Sequence, residues 1–103
     1  MSDTSFLDYV LEQLSSVHSV SQRPMFGGHG LYLDGIFFGI VHKGTLYFRT
    51  DGTSRPRYIH AGSRPFNPRG RQELHRYYEV PAEVMDDAEV LAIWASEAAD
   101  TRK

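Results

Sequence analysis

The sequence predicts an α+β fold in two layers: an antiparallel sheet of about four to six strands, helices at the N- and C-terminal ends, and a short helix between. Three observations carry this prediction. Apolar residues recur at helical spacing in residues 5–17. Short alternating apolar runs, broken by two glycine-marked turns, fill residues 31–50. A second helical stripe occupies residues 90–98.

The first helix is read from Phe6, Leu7, Val10, Leu11, Leu14 and Val17. Ser5 caps it in this reading, and Asp8 suits the positive end of the helix. Ser15-Ser16 and Ser19 to Ser21 weaken the pattern, and Pro24 blocks continuation. Arg23, placed before proline, is biased to extended geometry. Leu31 and Leu33 share one strand face and Tyr32 takes the other. Asp34-Gly35 is a strong two-residue hairpin signal. Ile36 to Val41 is almost wholly apolar, as a central strand should be, and Gly39 within it suggests close packing or a bulge. His42-Lys43-Gly44 turns the chain into a strand over Thr45 to Thr50, and Asp51-Gly52-Thr53 ends the meander.

A short helix is predicted over 54–61, with Pro56 tolerated in its first turn and Gly62 closing it. Ser63 to Gly70 reads as loop or a short edge strand, and Leu74 to Val80 as a strand centred on Tyr77-Tyr78. Alternation of faces leaves only one of those tyrosines outward. Pro81 starts a short turn of helix. Asp86 with Glu89 resembles a capping box, and Val90, Leu91, Ile93, Trp94 and Ala98 form the apolar stripe of the last helix. Asp100 to Lys103 reads as a fraying tail. The predicted order is helix, three-strand meander, short helix, one or two strands, helix. The 103 residues are expected to form one domain with a core over about 5–99.

Composition narrows the function. The chain has no cysteine, which excludes disulfides, thiolate-ligated metals and thiol catalysis. No apolar run approaches a membrane span, and the start Met1-Ser2-Asp3-Thr4-Ser5 is too polar and acidic for a signal peptide, so cytoplasm is the expected compartment. The net charge of −2 conceals a segregation. Arg55, Arg57, Arg64, Arg69, Arg71 and Arg76 fall within 22 residues, accompanied by one acid, Glu73. Residues 79–100 carry seven acids and no base. The segregation is either two solvated faces or a patch for a polyanion or an acidic partner.

No catalytic constellation is evident. Gly27-Gly28-His29-Gly30 lacks the spacing, the lysine and the following helix of a phosphate-binding loop, so its glycines are read as a tight structural corner. The five histidines show no ligand spacing and the serines no nucleophile elbow. Asp86-Asp87 is explained by a helix start. Trp94 is read as a core residue.

Several motifs in order resemble the TfoX (Sxy) N-terminal domain family, whose members include regulators of bacterial DNA uptake. They are Arg23 with Met25-Phe26-Gly27-Gly28-x-Gly30-Leu31-Tyr32, Asp34-Gly35, Phe38, Leu46-Tyr47, Gly62 with Pro65-Phe66, Tyr77-Tyr78-Glu79-Val80-Pro81, and Leu91 with Trp94-Ala95. Pro24 departs from the family's usual basic or polar residue and Arg49 from its common lysine. The chain is similar to a stand-alone N-terminal domain, since longer competence regulators continue into a helical C-terminal domain. The resemblance implies the fold, a regulatory role connected with competence and transcription, no catalytic residue and no cofactor. The expected activity is therefore non-enzymatic binding of a macromolecule, first another protein, as monomer or homodimer. Direct nucleic-acid binding through the Arg55–Arg76 segment is the alternative, and a small-ligand binder or enzyme the third. A continuous basic face over Arg55, Arg64, Arg69 and Arg71 favours nucleic acid. An exposed apolar patch near Phe26 or Phe66 favours protein, and a deep pocket with converging polar groups favours a ligand.

Overall fold

The computed structural model describes residues 3–25, 27–67 and 74–101. Arg69, Arg71 and Phe26, singled out above, lie outside them. The elements run α1 (Asp3–Gln13), β1 (Val20–Met25), β2 (Gly28–Leu33), β3 (Ile36–His42), β4 (Thr45–Arg49), α2 (Arg55–His60), β5 (Pro65–Phe66), β6 (Leu74–Glu79), α3 (Ala82–Met85) and α4 (Ala88–Asp100). All six strands join one antiparallel sheet in the order β1-β2-β3-β4-β6-β5. The α+β prediction holds, with one strand more in the meander than expected. Ser19 to Ser21, read as the weakening end of a helix, lead into β1 instead. That strand forms the sheet edge with Ser21 to Pro24 exposed, so it carries no apolar alternation to reveal it. Proline is admissible there because an edge strand leaves some of its backbone groups unpaired.

Both two-residue turns have the backbone that hairpins favour. Asp34 and Gly35 have φ of 52° and 80°, and Lys43 and Gly44 have φ of 49° and 76°. Positive φ at both central residues matches the twist of the flanking strands. The glycine segment is less of a loop than it looked. Gly27 turns the chain at φ 76°, whereas Gly28 and Gly30 are residues of β2. A β-carbon on Gly28 would stand 2.1 Å from the Val41 carbonyl oxygen.

A bulge in β3 sets the two faces of the sheet. Leu31 pairs with Gly39 but Tyr32 with Phe37, so Phe38 is an extra residue. Phe38 turns toward the helices and Phe37 away from them. Beyond Gly39 the alternation resumes, with Ile40 outward and Val41 inward. On the helix side Leu31, Phe38, Val41, Leu46, Phe48, Tyr78 and Val80 meet Leu7, Val10 and Leu14 of α1, Tyr58 of α2, Val84 and Met85 of α3, and Leu91, Ala95 and Ala98 of α4. On the far side Ile40, Phe66 and Tyr77 form a smaller cluster with Phe37 and Tyr47. Tyr77 and Tyr78 are therefore both buried, 9% and 8% exposed, although they point in opposite directions. The expectation that one of them faces solvent fails because both sheet faces are covered at β6.

Polar contacts fix the helices. The Asp51 carboxylate accepts from the backbone amides of Thr53 and Ser54, both at 2.9 Å, at the approach to α2. Gly62, at φ 83°, follows the Ala61 cap of that helix. Gln13 Nε2 donates to the Met85 carbonyl at 2.9 Å, and Tyr9 donates its hydroxyl proton to Asp86 Oδ1 at 3.1 Å, tying α1 to the α3–α4 corner. The N-cap of α4 is Asp87, whose carboxylate accepts from Val90 N at 3.2 Å, one residue later than the capping box predicted at Asp86. The fraying tail is also corrected at Thr101. This residue is buried, and Arg49 donates from Nε to its Oγ1 at 2.6 Å and from Nη2 to its carbonyl at 2.8 Å. A lysine has one ammonium and lacks that planar fork.

Gly28→Ala forces the β2–β3 backbones apart and is expected to lower stability by about 1–3 kcal/mol. Gly52→Ala adds its β-carbon in open space, without a positive φ, and should change stability by less than about 0.5 kcal/mol. Equal urea midpoints for the two variants would contradict this account of position 28. Burial supplies a second expectation. It raises the phenol of Tyr58 most, and those of Tyr47 and Tyr77 as well, above their ordinary value of about 10. Above that pH the unfolded chain releases phenolic protons that the folded chain retains, so unfolding becomes proton-releasing and stability falls as pH rises. Urea midpoints should be level from about pH 8 to about pH 10 and drop beyond it, less steeply in Tyr58→Phe. Superimposable alkaline limbs for wild type and Tyr58→Phe would contradict the assignment.

Candidate functional site

The arginine segment does not project as one row of free cations. Arg55, at the start of α2, donates from Nε to Thr50 Oγ1 at 2.9 Å and from Nη2 to the Thr50 carbonyl at 3.3 Å. Thr50 is wholly buried and its hydroxyl also donates to the Arg76 carbonyl at 2.9 Å, so Arg55 anchors α2 where β4 meets β6. Arg57 pairs with Glu97 of α4, and its guanidinium carbon lies 4.1 Å from the Trp94 ring centroid and 5.8 Å from that of Tyr58. The hydrogen bond to Glu97 holds the guanidinium above its ordinary pKa, so it stays charged over the ring. Arg64 is 82% exposed along its side chain, with Nη2 3.4 Å from Glu79 Oε2. Arg76 is exposed on β6. Bases and acids segregated along the chain thus recombine in space at Arg57–Glu97 and Arg64–Glu79.

The glycine corner and its neighbours form a packing device. Arg23 of β1 lies over the Tyr32 ring at 5.1 Å. Tyr32, Phe37 and Tyr77 follow as a row across the far face, with centroids 5.3 and 5.4 Å apart. A β-carbon on Gly30 would sit 2.6 Å from Met25 Sδ and 3.1 Å from the Phe37 ring, so these glycines make room for strand neighbours. Asp34 and Gly35 form the hairpin tip, and Pro81 is the buried N-cap of α3. Trp94 is half-buried, edge-on to Tyr58 at 4.9 Å and covered on one side by Arg57. Phe66 is buried and offers no exposed apolar surface itself.

Among the described residues no three His, Cys, Asp or Glu side chains gather closely enough to hold a metal ion. His42 is buried edge-on to Phe66 at 5.3 Å. His29 has its Nδ1 buried without a partner. No described helix is long and apolar enough to cross a membrane.

Exposed aliphatic side chains lie elsewhere: Ile36 at the start of β3, Ile59 of α2 at 55% exposure, and Ile93 of α4. Ile93, assigned from sequence to the buried stripe, is 62% exposed. It borders an open hollow of about 630 Å³ between α4, the connection from α1 to β1 and the β2–β3 hairpin. Val17 and Leu33 contribute apolar lining, and Asp34, Glu97 and Asp100 contribute carboxylates. Among the described residues no lysine or arginine lines it. Sequence reasoning missed this place because its residues come from three separated segments. The one available signal was an isoleucine spaced four residues from Glu89 and from Glu97 on an acidic helix.

Comparison with curated proteins finds no match. The TfoX N-terminal domain model matches residues 12–101 of the 103, spanning all six strands and α2 to α4. The glycine corner, the hairpin tip and the Leu91–Trp94 helix anchored in the fold above all fall within that match, and the chain belongs to the TfoX N-terminal domain family.

Proposed function

We propose that this chain is a non-enzymatic regulatory domain that acts by binding another protein, in keeping with the competence regulators that share its family. The observation that carries this reading is the exposure of Ile93 beside an open, partly apolar hollow. A large aliphatic side chain held in water next to further apolar surface is stabilised when a partner covers it. The hollow is open rather than enclosing, which suits a macromolecular surface better than a small ligand that needs most of its own area buried. The arginines support the same reading. Arg55 and Arg57 are engaged with Thr50 and Glu97, so they are poorly placed to neutralise phosphates.

The test sets the two macromolecular classes against each other. The tagged full chain is used for affinity capture, and each captured protein is purified and titrated back. In parallel, labelled duplex and single-stranded oligonucleotides are titrated at about 50 and about 200 mM salt. A purified protein that binds reversibly is expected, together with oligonucleotide binding that is absent or collapses at the higher salt. Sequence-selective oligonucleotide binding that survives about 200 mM salt would overturn the reading.

A further inference from the structure

We infer that the hollow between α4, the α1–β1 connection and the β2–β3 hairpin is the docking site for a positively charged amphipathic helix of a partner protein. The inference rests on the protein-binding reading and deepens it by naming the partner's chemistry. Glu89, Ile93, Glu97 and Asp100 fall at successive spacings of four, four and three along α4, so they share one helical face. All four are exposed. Ile93 is thus an apolar residue set within a carboxylate stripe. Across the hollow, Asp34 adds a carboxylate from the hairpin tip, and Val17 and Leu33 add the apolar lining.

Charge complementarity selects the occupant. The lining holds, among the described residues, three carboxylates and the imidazole of His18, and no lysine or arginine. Among the described residues Glu97 is paired with Arg57, while Asp34 and Asp100 have no ion-pair partner. A helix that lays apolar side chains at i, i+3, i+4 and i+7 against Ile93, Leu33 and Val17 brings its flanking positions to these acids. Lysine or arginine there is attracted, and glutamate is repelled. An acidic or neutral partner would bury Ile93 equally well but would leave the carboxylates uncompensated at the contact.

The test uses the isotopically labelled full chain and two synthetic amphipathic peptides. Both carry leucine at i, i+3, i+4 and i+7; one has lysine and the other glutamate on the flanks. Amide shift changes should concentrate at residues 16–18, 33–34 and 92–100 with the lysine peptide. The glutamate peptide should bind at least about tenfold more weakly. Ile93→Ser, at an exposed position, should weaken the lysine peptide about tenfold with an unchanged circular dichroism spectrum. Asp34→Asn combined with Asp100→Asn should weaken it about threefold or more and flatten its salt dependence; asparagine tolerates the positive φ of position 34. Equal binding of the two peptides, shift changes centred elsewhere, or indifference to Ile93→Ser would each overturn the inference. So would concentration-dependent self-association abolished by Ile93→Ser, which would make the occupant a second copy of this chain. A natural partner that binds wild type and Ile93→Ser equally would overturn the hollow while leaving the protein-binding reading standing.

Discussion

The Val41 carbonyl oxygen occupies space that a β-carbon on Gly28 would need, standing only 2.1 Å from where that carbon would be. The start of β2 therefore reaches its place beside the end of β3 because position 28 has no side chain. Much follows from that approach. With β2 seated, His29 pairs with Val41 and Leu31 with Gly39, and the extra residue Phe38 is taken up as a bulge. The bulge turns Phe38 inward onto Phe48, with centroids 5.6 Å apart, and sends Ile40 outward to the far cluster. A one-residue slip would exchange every side chain of β3 between the faces. The floor on which α4 lands depends on this register, and so does the second hydrophobic layer on the far side.

α4 is tied to the rest of the molecule along its length. At its start Asp87 caps it, while the neighbouring Asp86 accepts from Tyr9 of α1. Along its middle Leu91 and Ala95 are buried without residual exposure, and Trp94 meets Tyr58 and Arg57 of α2. Beyond its end Thr101 receives two hydrogen bonds from Arg49. The small residues Ala95, Ala98 and Ala99 let the helix approach the sheet closely, which leaves bulky Ile93 on the opposite side. Rigid attachment on one face and an uncovered isoleucine on the other present a pre-formed surface, so less ordering is required when a partner binds.

Much of this fold was legible in the sequence, and what was not has physical reasons. Both hairpin turns, the strand over Leu74 to Glu79 and the helices at the two ends are local features, set by positive-φ residues and by apolar periodicity. The edge strand β1 escaped because an edge with solvent on both sides needs no apolar alternation. The burial of both Tyr77 and Tyr78 escaped because it depends on what covers each face, and Phe66 and Phe37 reach the far face from other strands. Ile93 looked like core because helical spacing alone does not reveal how wide a stripe the small alanines leave buried. The pairing of Arg57 with Glu97 joins residues 40 apart in sequence, so no local pattern could announce it.

That pairing changes what the charge segregation means. Read along the chain, residues 55–76 are a cationic arm and residues 79–100 an anionic one, and the cationic arm attracts attention. In space Arg57 of α2 reaches Glu97 of α4 and Arg64 reaches Glu79, so part of each arm neutralises the other. Arg55 is turned onto Thr50, where its hydrogen bonds hold α2 in position. The same contact that withdraws Arg57 from solution places it against Trp94, and the indole is sheltered by a cation instead of by a partner. The acids around the hollow are less compensated: Asp34 and Asp100 have no ion-pair partner among the described residues. Asp34 and Asp100 therefore contribute a negative field beside the exposed isoleucine. At physiological ionic strength such a field acts over about 8 Å, far enough to orient an approaching cationic segment but too short to recruit it across the molecule. On the proposed reading, orientation by charge followed by burial of an aliphatic side chain separates selectivity from affinity: the carboxylates choose the partner, and Ile93 holds it.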